Sequence, residues 1–178
     1  MKCDECGGPM TTDHNAVIRY DIGGLPHISL QGVEVSRCQK CGKEEIAIPR
    51  IGQLHHVIAM SLVKQPRMLA PIEVRFLRKH CGFSTGEFAQ VMGVARETVS
   101  RWETAAQQMG PVADRLLRVV VLTHEPTDDY EAIDRQDTDS VKDLLESLND
   151  SPTPDHLTQV PLRNIGDRWT ATAKAGCP

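Results

Sequence analysis

The sequence predicts an α+β protein in three parts: a small β-rich N-terminal domain, an all-α domain and an acidic, largely flexible tail. Two C-x-x-C pairs lie near the N-terminus, within a segment that alternates apolar and polar residues. Helix signals with clear caps follow, and Asp, Ser, Thr and Pro then dominate the C-terminal third. We therefore expect a metal-binding domain with its following helix and linker at 1–66, a helical domain at 67–122 and the tail at 123–178.

The cysteine pairs are Cys3 with Cys6 and Cys38 with Cys41, separated by 31 residues. A C-x-x-C pair lets two thiolates from one tight turn reach the same ion, and two pairs supply the four sulfurs of a closed tetrahedral zinc site. A glycine follows each pair directly, which allows a close backbone approach to the sulfurs. We expect one structural Zn²⁺ per chain, with no open position for catalysis. Iron in the four-thiolate site and a disulfide pairing are the alternatives.

Short strands fill the rest of the first domain, because β-branched residues and alternation are interrupted by glycines. The expected strands, with a turn at Gly23–Gly24, cover residues 16–20, 27–30, 33–37 and 45–49. A helix is expected from Ile51 to about Val63, and residues 65–67 break it. Adjacent residues on a helix point in different directions, so we interpret His55 and His56 as surface histidines and not as ligands.

The middle segment carries the clearest helix signals. A helix is expected from Pro71 to residue 79 or 80. Ser84 and Glu87 form a capping box for the next helix, and Phe83 with Phe88 forms the matching hydrophobic staple. That helix should end near Met92, with Gly93 in the turn to a further helix at 95–104. Pro111 opens the last helix, whose inward face is predicted to be Val112, Leu116 and Val120, with Leu117 as a further candidate.

The helix at 95–104 has two faces of different chemistry. Val99 and Trp102, with Val94 before them, are spaced to pack inward. The opposite face carries these polar side chains: Arg96, Glu97, Ser100 and Arg101. An arginine on such a face can make bidentate hydrogen bonds to guanine in a major groove. The pair of helices joined at Gly93 is therefore predicted to be a helix-turn-helix that binds double-stranded DNA.

The net charge differs between the same three segments of the chain. Residues 1–66 are neutral, residues 67–122 carry a net charge of +3 and residues 123–178 carry −7. Only the middle segment would approach a polyanion favourably. In the tail, leucines at helical spacing predict one amphipathic helix near 140–149 within an otherwise mobile region.

Several functional classes fit poorly. A run of about 18 apolar residues would be needed to span a membrane, and the sequence has none. The chain begins Met-Lys-Cys and enters the metal motif at once, which predicts a cytoplasmic protein with reduced, metal-bound thiols. The G-x-S-x-G, H-E-x-x-H, P-loop and zinc-deaminase motifs do not occur, so we expect no enzyme activity.

The segment from Phe83 to Glu103 resembles the lambda-repressor-like (XRE) helix-turn-helix family, in the order alanine, glycine, valine and then serine–arginine–tryptophan–glutamate. Residues 1 to about 122 resemble the MqsA-type antitoxins, which join a YgiT-type four-cysteine zinc domain to such a helix-turn-helix. The resemblance rests on the four cysteines, on Glu73 to Arg78 and on Val99 to Glu103. It does not cover the tail.

The resemblance implies a repressor that forms a homodimer on a palindromic operator and autoregulates its operon. The zinc half would bind a small ribonuclease toxin, as in a type II toxin–antitoxin pair. By position, Arg101 is the main candidate for a base contact, with Arg96 and Glu97 at other base-reading positions and Thr85 at a phosphate-contacting one. Glu97 departs from the asparagine of the best-known members, so the operator sequence does not transfer. A solitary transcription regulator and an interaction adaptor without DNA binding are the alternative functions.

Overall fold

The computed structural model describes residues 1–21, 24–123, 148, 157 and 159–172. These residues form a mixed α/β structure with a five-stranded sheet and five helices. The strands are β1 (Met10–Arg19), β2 (Ile28–Cys38), β3 (Glu44–Ala47), β4 (Val160–Ile165) and β5 (Arg168–Ala171). The helices are α1 (Ile51–Val63), α2 (Pro71–His80), α3 (Thr85–Met92), α4 (Arg96–Glu103) and α5 (Pro111–Thr123).

Strand β2 is the centre of the sheet. Strand β1 pairs with one edge of β2 in antiparallel fashion. Two strands pair with the other edge of β2. Strand β3 pairs antiparallel with residues 34–37, and β4 pairs parallel with residues 28–31. Gly32 lies between these two stretches with φ of 74°, and a Cβ added there would meet the carbonyl oxygen of Asn164 at 3.0 Å. Glycine is therefore needed where the backbone of β4 approaches β2.

The hairpin of β4 and β5 corrects one expectation, because the prediction of a largely flexible tail is wrong for residues 160–171. The hairpin turns through Gly166 and Asp167, which both have positive φ, as a two-residue turn between paired strands requires. Leu162 and Trp169 are buried against the sheet domain, and the indole Nε1 of Trp169 donates a hydrogen bond to the carbonyl oxygen of Pro49 at 2.9 Å. Burial of these apolar side chains offsets the entropy of ordering the segment. The predicted helix near 140–149 lies outside the described residues, apart from Leu148.

The predicted capping of α3 is confirmed. The Ser84 N–H donates to the Glu87 carboxylate at 2.8 Å, and the Glu87 N–H donates to the Ser84 hydroxyl at 3.2 Å. The rings of Phe83 and Phe88 lie with centroids 6.4 Å apart, so the hydrophobic staple is also present. Gly93 ends α3 in the left-handed conformation, with φ of 65°.

The predicted inward face of α5 is confirmed for Leu117 but wrong for Val112 and Leu116, and Val120 is half-buried. Val112 is 80% exposed and Leu116 is 40% exposed, whereas Leu117 is buried together with Asp114 and Arg118. The prediction placed the charged residues of α5 on the side that faces solvent. Here the two charged residues form a buried ion pair, with Arg118 Nε 2.7 Å from Asp114 Oδ2, and the helix is rotated to bring them inside.

The buried pair on α5 holds the segment between α1 and α2. Arg118 donates to the carbonyl oxygens of Val63, Gln65 and Arg67, each at 2.6 Å. Buried apolar side chains also form one continuous cluster that includes residues of β2, α1, α2 and α5. The boundary predicted near residue 66 thus lies in a segment fixed by hydrogen bonds from a neighbouring helix.

Candidate metal centre and candidate nucleic-acid interface

The first cysteine pair lies in a tight backbone loop. The Cys3 N–H donates to the carbonyl oxygen of Gly8, and the Gly7 N–H donates to the carbonyl oxygen of Cys3, both at 2.9 Å. Gly7 has φ of 66°, which residues with a Cβ rarely adopt. These contacts turn the chain so that Cys3 and Cys6 present their sulfurs on the same side.

The second cysteine pair repeats this loop at the end of β2. The Cys38 N–H donates to the carbonyl oxygen of Lys43 at 2.9 Å, and the Gly42 N–H donates to that of Cys38 at 3.0 Å. Gly42 has φ of 75°. The Lys40 N–H lies 3.4 Å from the Cys38 sulfur, as a donor to a thiolate would. The glycine after each pair is therefore required for its positive φ and not, as predicted, for a close approach to the sulfurs, because a Cβ added to Gly7 or Gly42 would meet no atom within 4 Å beyond its chain neighbours.

The four sulfurs meet at one point. Their Sγ atoms all lie within 4.8 Å of one another, with Cys3 to Cys41 at 3.6 Å and Cys6 to Cys38 at 3.4 Å. These separations exceed a disulfide bond, and the four cysteines are free thiols. Four thiolates at about 2.3 Å from a tetrahedral ion would lie about 3.8 Å apart, so the site fits such an ion closely. The four cysteines predicted from the sequence could thus hold one structural metal ion.

Without a cation, the sulfurs compete for protons. Backbone N–H groups of Cys41 and Lys40 lower the pKa of the Cys38 thiol to about 6. The Lys43 N–H acts to lower the pKa of Cys41, but the neighbouring sulfurs of Cys6 and Cys38 outweigh it and raise that pKa to about 12. Only a cation would let all four cysteines ionise together near neutral pH.

Gly8 is a residue of this site that the sequence analysis missed. A Cβ added to Gly8 would lie 2.8 Å from the Cβ of Lys40 and 3.2 Å from the sulfurs of both Cys6 and Cys38. The two cysteine loops therefore pack against each other across a position that admits no side chain. The signal was the second glycine of the Gly7–Gly8 pair, which the C-x-x-C-G pattern does not use.

Salt bridges connect the two cysteine loops on their outer side. The ammonium group of Lys43 lies 2.7 Å from Asp4 and 3.3 Å from Glu5. The hydrogen bond and charge of Lys43 lower the pKa of Asp4, and the two carboxylates raise the pKa of Lys43. Lys43 is half-buried but both carboxylates are exposed, so the pairs orient the loops and contribute little stability.

The second candidate site is the outer face of α4. Arg96, Glu97, Ser100 and Arg101 are all exposed, on one side of the helix. Val99 and Trp102 are buried on the other side, as the sequence predicted. Thr85, the first residue of α3, is half-buried. Neither Arg96 nor Arg101 has an ion-pair partner within the part of the chain that the structure describes, so both are available to bind an anionic ligand.

An ion pair with α2 fixes the position of α4. The guanidinium of Arg78 contacts the Glu103 carboxylate through two hydrogen bonds, at 2.5 Å and 3.1 Å, and also donates to the carbonyl oxygen of Phe83 at 2.7 Å. Both members of the ion pair are largely buried. Charge-assisted bidentate pairs of this kind fix orientation as well as distance. Both residues lie in the segments that carry the MqsA-type resemblance, but their contact joins positions 25 apart in the chain and was not predicted.

His55 and His56 are half-buried, and their interpretation as surface histidines is wrong. The hydroxyl of Tyr20 lies 2.6 Å from Nε2 of His55, and the ring of Phe76 meets His55 edge-on at 5.7 Å. Burial lowers the pKa of both histidines. They join α1 to its neighbours.

Comparisons with known proteins give no relative. No family model matches the chain, and no curated protein or solved structure matches it. Among the described residues, no helix has the length and apolar character needed to cross a membrane.

Proposed function

We propose that the chain is a sequence-specific DNA-binding transcriptional repressor and the antitoxin of a type II toxin–antitoxin pair. The observation that carries this proposal is the outer face of α4. It places two arginines, which have no ion-pair partner among the described residues, beside Glu97 and Ser100 on a helix anchored to α2 by the Arg78–Glu103 ion pair. A helix of this kind fits a DNA major groove.

Each residue of the face has a role in this proposal. Arg101 and Arg96 donate to guanine or to phosphate, and Glu97 accepts from the N4 amino group of cytosine. Ser100 donates to either kind of group. Thr85 lies at the N-terminus of α3, where backbone N–H groups and the helix dipole favour a phosphate.

The exposed side chains of Val112 and Leu116 on α5 support a homodimer. They lie one turn apart on a helix whose opposite face is buried, so they form an apolar strip at the surface. A second copy of the same strip would cover it in an isologous interface. A two-fold dimer requires a palindromic operator, with one α4 in each half-site.

The metal centre is structural in this proposal. Its four thiolates leave no coordination position for a substrate, and zinc is the ion that such sites in folded domains most commonly hold. The metal would keep the loops after Cys3 and Cys38 in place, and the sheet domain that carries them would bind the ribonuclease toxin. That last role is supported by the MqsA-type resemblance alone.

A solitary repressor without a toxin is the second candidate, and one observation favours it. The hairpin of β4 and β5 pairs with residues 28–31 of β2, so this chain itself covers part of a sheet edge that a partner could otherwise extend.

Two experiments test the proposal and separate the candidates. Selection of duplexes from a random library by the full chain should enrich a palindrome, and Arg101→Ala should abolish the enrichment while far-UV circular dichroism stays unchanged. Purification of tagged protein from its own host should recover a small basic protein at fixed ratio. Enrichment without that partner would support the solitary repressor, and no enrichment would refute both candidates.

A further inference from the structure

Glu73, near the start of α2, connects the sheet to the helices. It is fully buried and accepts two hydrogen bonds from the guanidinium of Arg67, at 2.7 Å and 2.8 Å, and one from the Ala70 N–H at 2.7 Å. Burial acts to raise the pKa of Glu73, but the hydrogen bonds from Arg67 and the contact with His27 outweigh it and lower the pKa to about 2. Glu73 is therefore ionised at any physiological pH.

His27 is the residue of the sheet domain that contacts Glu73. It directly precedes β2, is buried, and places Nε2 3.0 Å from Glu73 Oε1. The contact has the distance of an ion pair but not the angle of a directed hydrogen bond, and Nδ1 has no hydrogen-bond partner among the described residues. His27 thus contacts the carboxylate, but neither ring nitrogen makes a directed hydrogen bond among the described residues. A buried polar group without a hydrogen bond costs free energy.

Helix α2 carries two buried charged residues with different partners. Glu73 lies in its first turn and meets His27 and Arg67, and Arg78 lies in its last turn and meets Glu103 of α4. The two residues are five positions apart, a rise of about 7.5 Å along a helix. One short helix therefore joins the start of β2 to the end of α4 through buried contacts of its two charged side chains, with His27 at one end and Glu103 at the other.

Strand β2 extends the connection to the metal centre. It runs from Ile28, next to His27, to the metal-ligand candidate Cys38. We propose that His27 is a positioning residue of the DNA interface, which acts through Glu73 and α2 to fix the orientation of α4. This proposal rests on the proposed function. It makes the arrangement of the sheet domain part of what determines DNA specificity.

A purely stabilising role is the simpler interpretation of such a cluster. Buried ion pairs seldom contribute more stability than well-packed apolar residues of the same volume, whereas they do fix one geometry among several. The two interpretations predict different results for DNA binding. A stabilising contact changes how much protein is folded, and a positioning contact changes what the folded protein binds.

A double-mutant cycle between His27 and Arg101 separates them. His27→Leu removes the polar contact, and Arg101→Ala removes the proposed base contact. His14→Leu is the control, because His14 is exposed and its contact is with the side chain of Glu34 on the sheet surface. Dissociation constants are measured for a duplex selected by the wild-type chain and for its scrambled version. Folding of each variant is checked by circular dichroism.

We expect His27→Leu to weaken binding to the selected duplex by about 3- to 30-fold and to leave binding to the scrambled duplex unchanged. Arg101→Ala should then cost much less in the His27→Leu background than in the wild type, because its contact is already misaligned. His14→Leu should have no effect. If the double variant weakens binding by the product of the two single-variant factors, to within about twofold, the two sites are independent and the proposal is overturned.

Hydrogen exchange keeps the test separate from the DNA-binding proposal. In the absence of DNA, His27→Leu should speed exchange in the α4 amides more than in those of α5, and His14→Leu should not. If no duplex is selected but α4 exchange responds, the coupling stands and the DNA function fails. Unchanged α4 exchange would overturn the coupling whatever DNA does. Should His27→Leu fail to fold, His27→Gln, which keeps a donor, takes its place with a smaller expected effect.

Discussion

Replacing the buried ion pair of α5 by apolar residues should destabilise the protein, although such replacements are often neutral. The perturbation is the double variant Asp114→Leu and Arg118→Met. For an isolated buried pair, apolar residues of similar volume leave stability unchanged or raise it. Here the two side chains also satisfy backbone groups, since Arg118 meets three carbonyl oxygens and Asp114 accepts from the Leu69 N–H at 2.8 Å.

The magnitude follows from those four backbone groups. A buried polar group left without a partner costs about 1–3 kcal/mol. Water can reach part of the segment in the double variant, so we take about 1 kcal/mol for each of the four groups. The free energy of unfolding should therefore fall by about 4 kcal/mol. The single variant Arg118→Met should lose about as much or more, because it also leaves the Asp114 charge buried and unpaired, which alone costs about 3–5 kcal/mol.

Urea denaturation measures both changes. The tryptophans report on different regions, because Trp102 lies in α4 and Trp169 in β5, so coincident transitions would show that the chain unfolds as one unit. Arg75→Met is the matched control, since Arg75 is exposed on α2 and its loss should change the free energy of unfolding by less than about 0.5 kcal/mol. A double variant within about 1 kcal/mol of the wild type would refute the reasoning, because the linker carbonyls would then not depend on Arg118.

Four further predictions concern other parts of the molecule. Gly8→Ala should weaken metal binding at least tenfold (about 1.4 kcal/mol), measured by competition with a chelator, because the new methyl group meets two ligand sulfurs; unchanged affinity would contradict the packing. The pKa of Glu73 lies below its unfolded value, so its contribution to stability is complete above about pH 4.5 and is lost as pH falls towards 2; Glu73→Gln should flatten that part of the stability–pH curve. Leu116→Asp should convert the proposed dimer to a folded monomer, visible by analytical ultracentrifugation, whereas a dimer that persists would exclude α5 from the interface. Removal of residues 160–178 should lower the melting temperature, and removal of 173–178 should not; equal stability of the two truncated chains would mean that the hairpin is dispensable.

The sequence predicted those features that depend on local chemistry. The cysteine loops follow from the C-x-x-C-G pattern, since the glycine after each pair has to take a positive φ. The capping box of Ser84 and Glu87 and the turn at Gly93 depend on neighbouring residues alone. The polar face of α4 followed from helical spacing. The DNA-binding and toxin-binding roles attached to these features stay predictions.

The features that the sequence analysis missed depend on distant partners. The Gly166–Asp167 turn was a readable hairpin signal, but the composition of the tail suggested disorder. Nothing local indicates that Trp169 packs beside Pro49. The orientation of α5 was also unpredictable, because Asp114 and Arg118 look like an ordinary exposed pair until the carbonyl groups of the linker are known to face them.

The parallel pairing of β2 with β4 has a consequence for synthesis of the chain. Ile28 pairs with Val160, so this part of the sheet joins residues that lie 132 positions apart in the chain. Helices α1 to α5 of the described residues leave the ribosome before β4 does. The nascent chain therefore holds a sheet in which residues 28–31 of β2 still lack β4, and an exposed strand edge is prone to wrong pairing. Because contacts so far apart in sequence form slowly, docking of the hairpin is expected to be a late folding step. A ribosome that stalls before residue 160 would leave a chain that has all four cysteines of the candidate metal centre but still lacks β4 and β5 of the sheet.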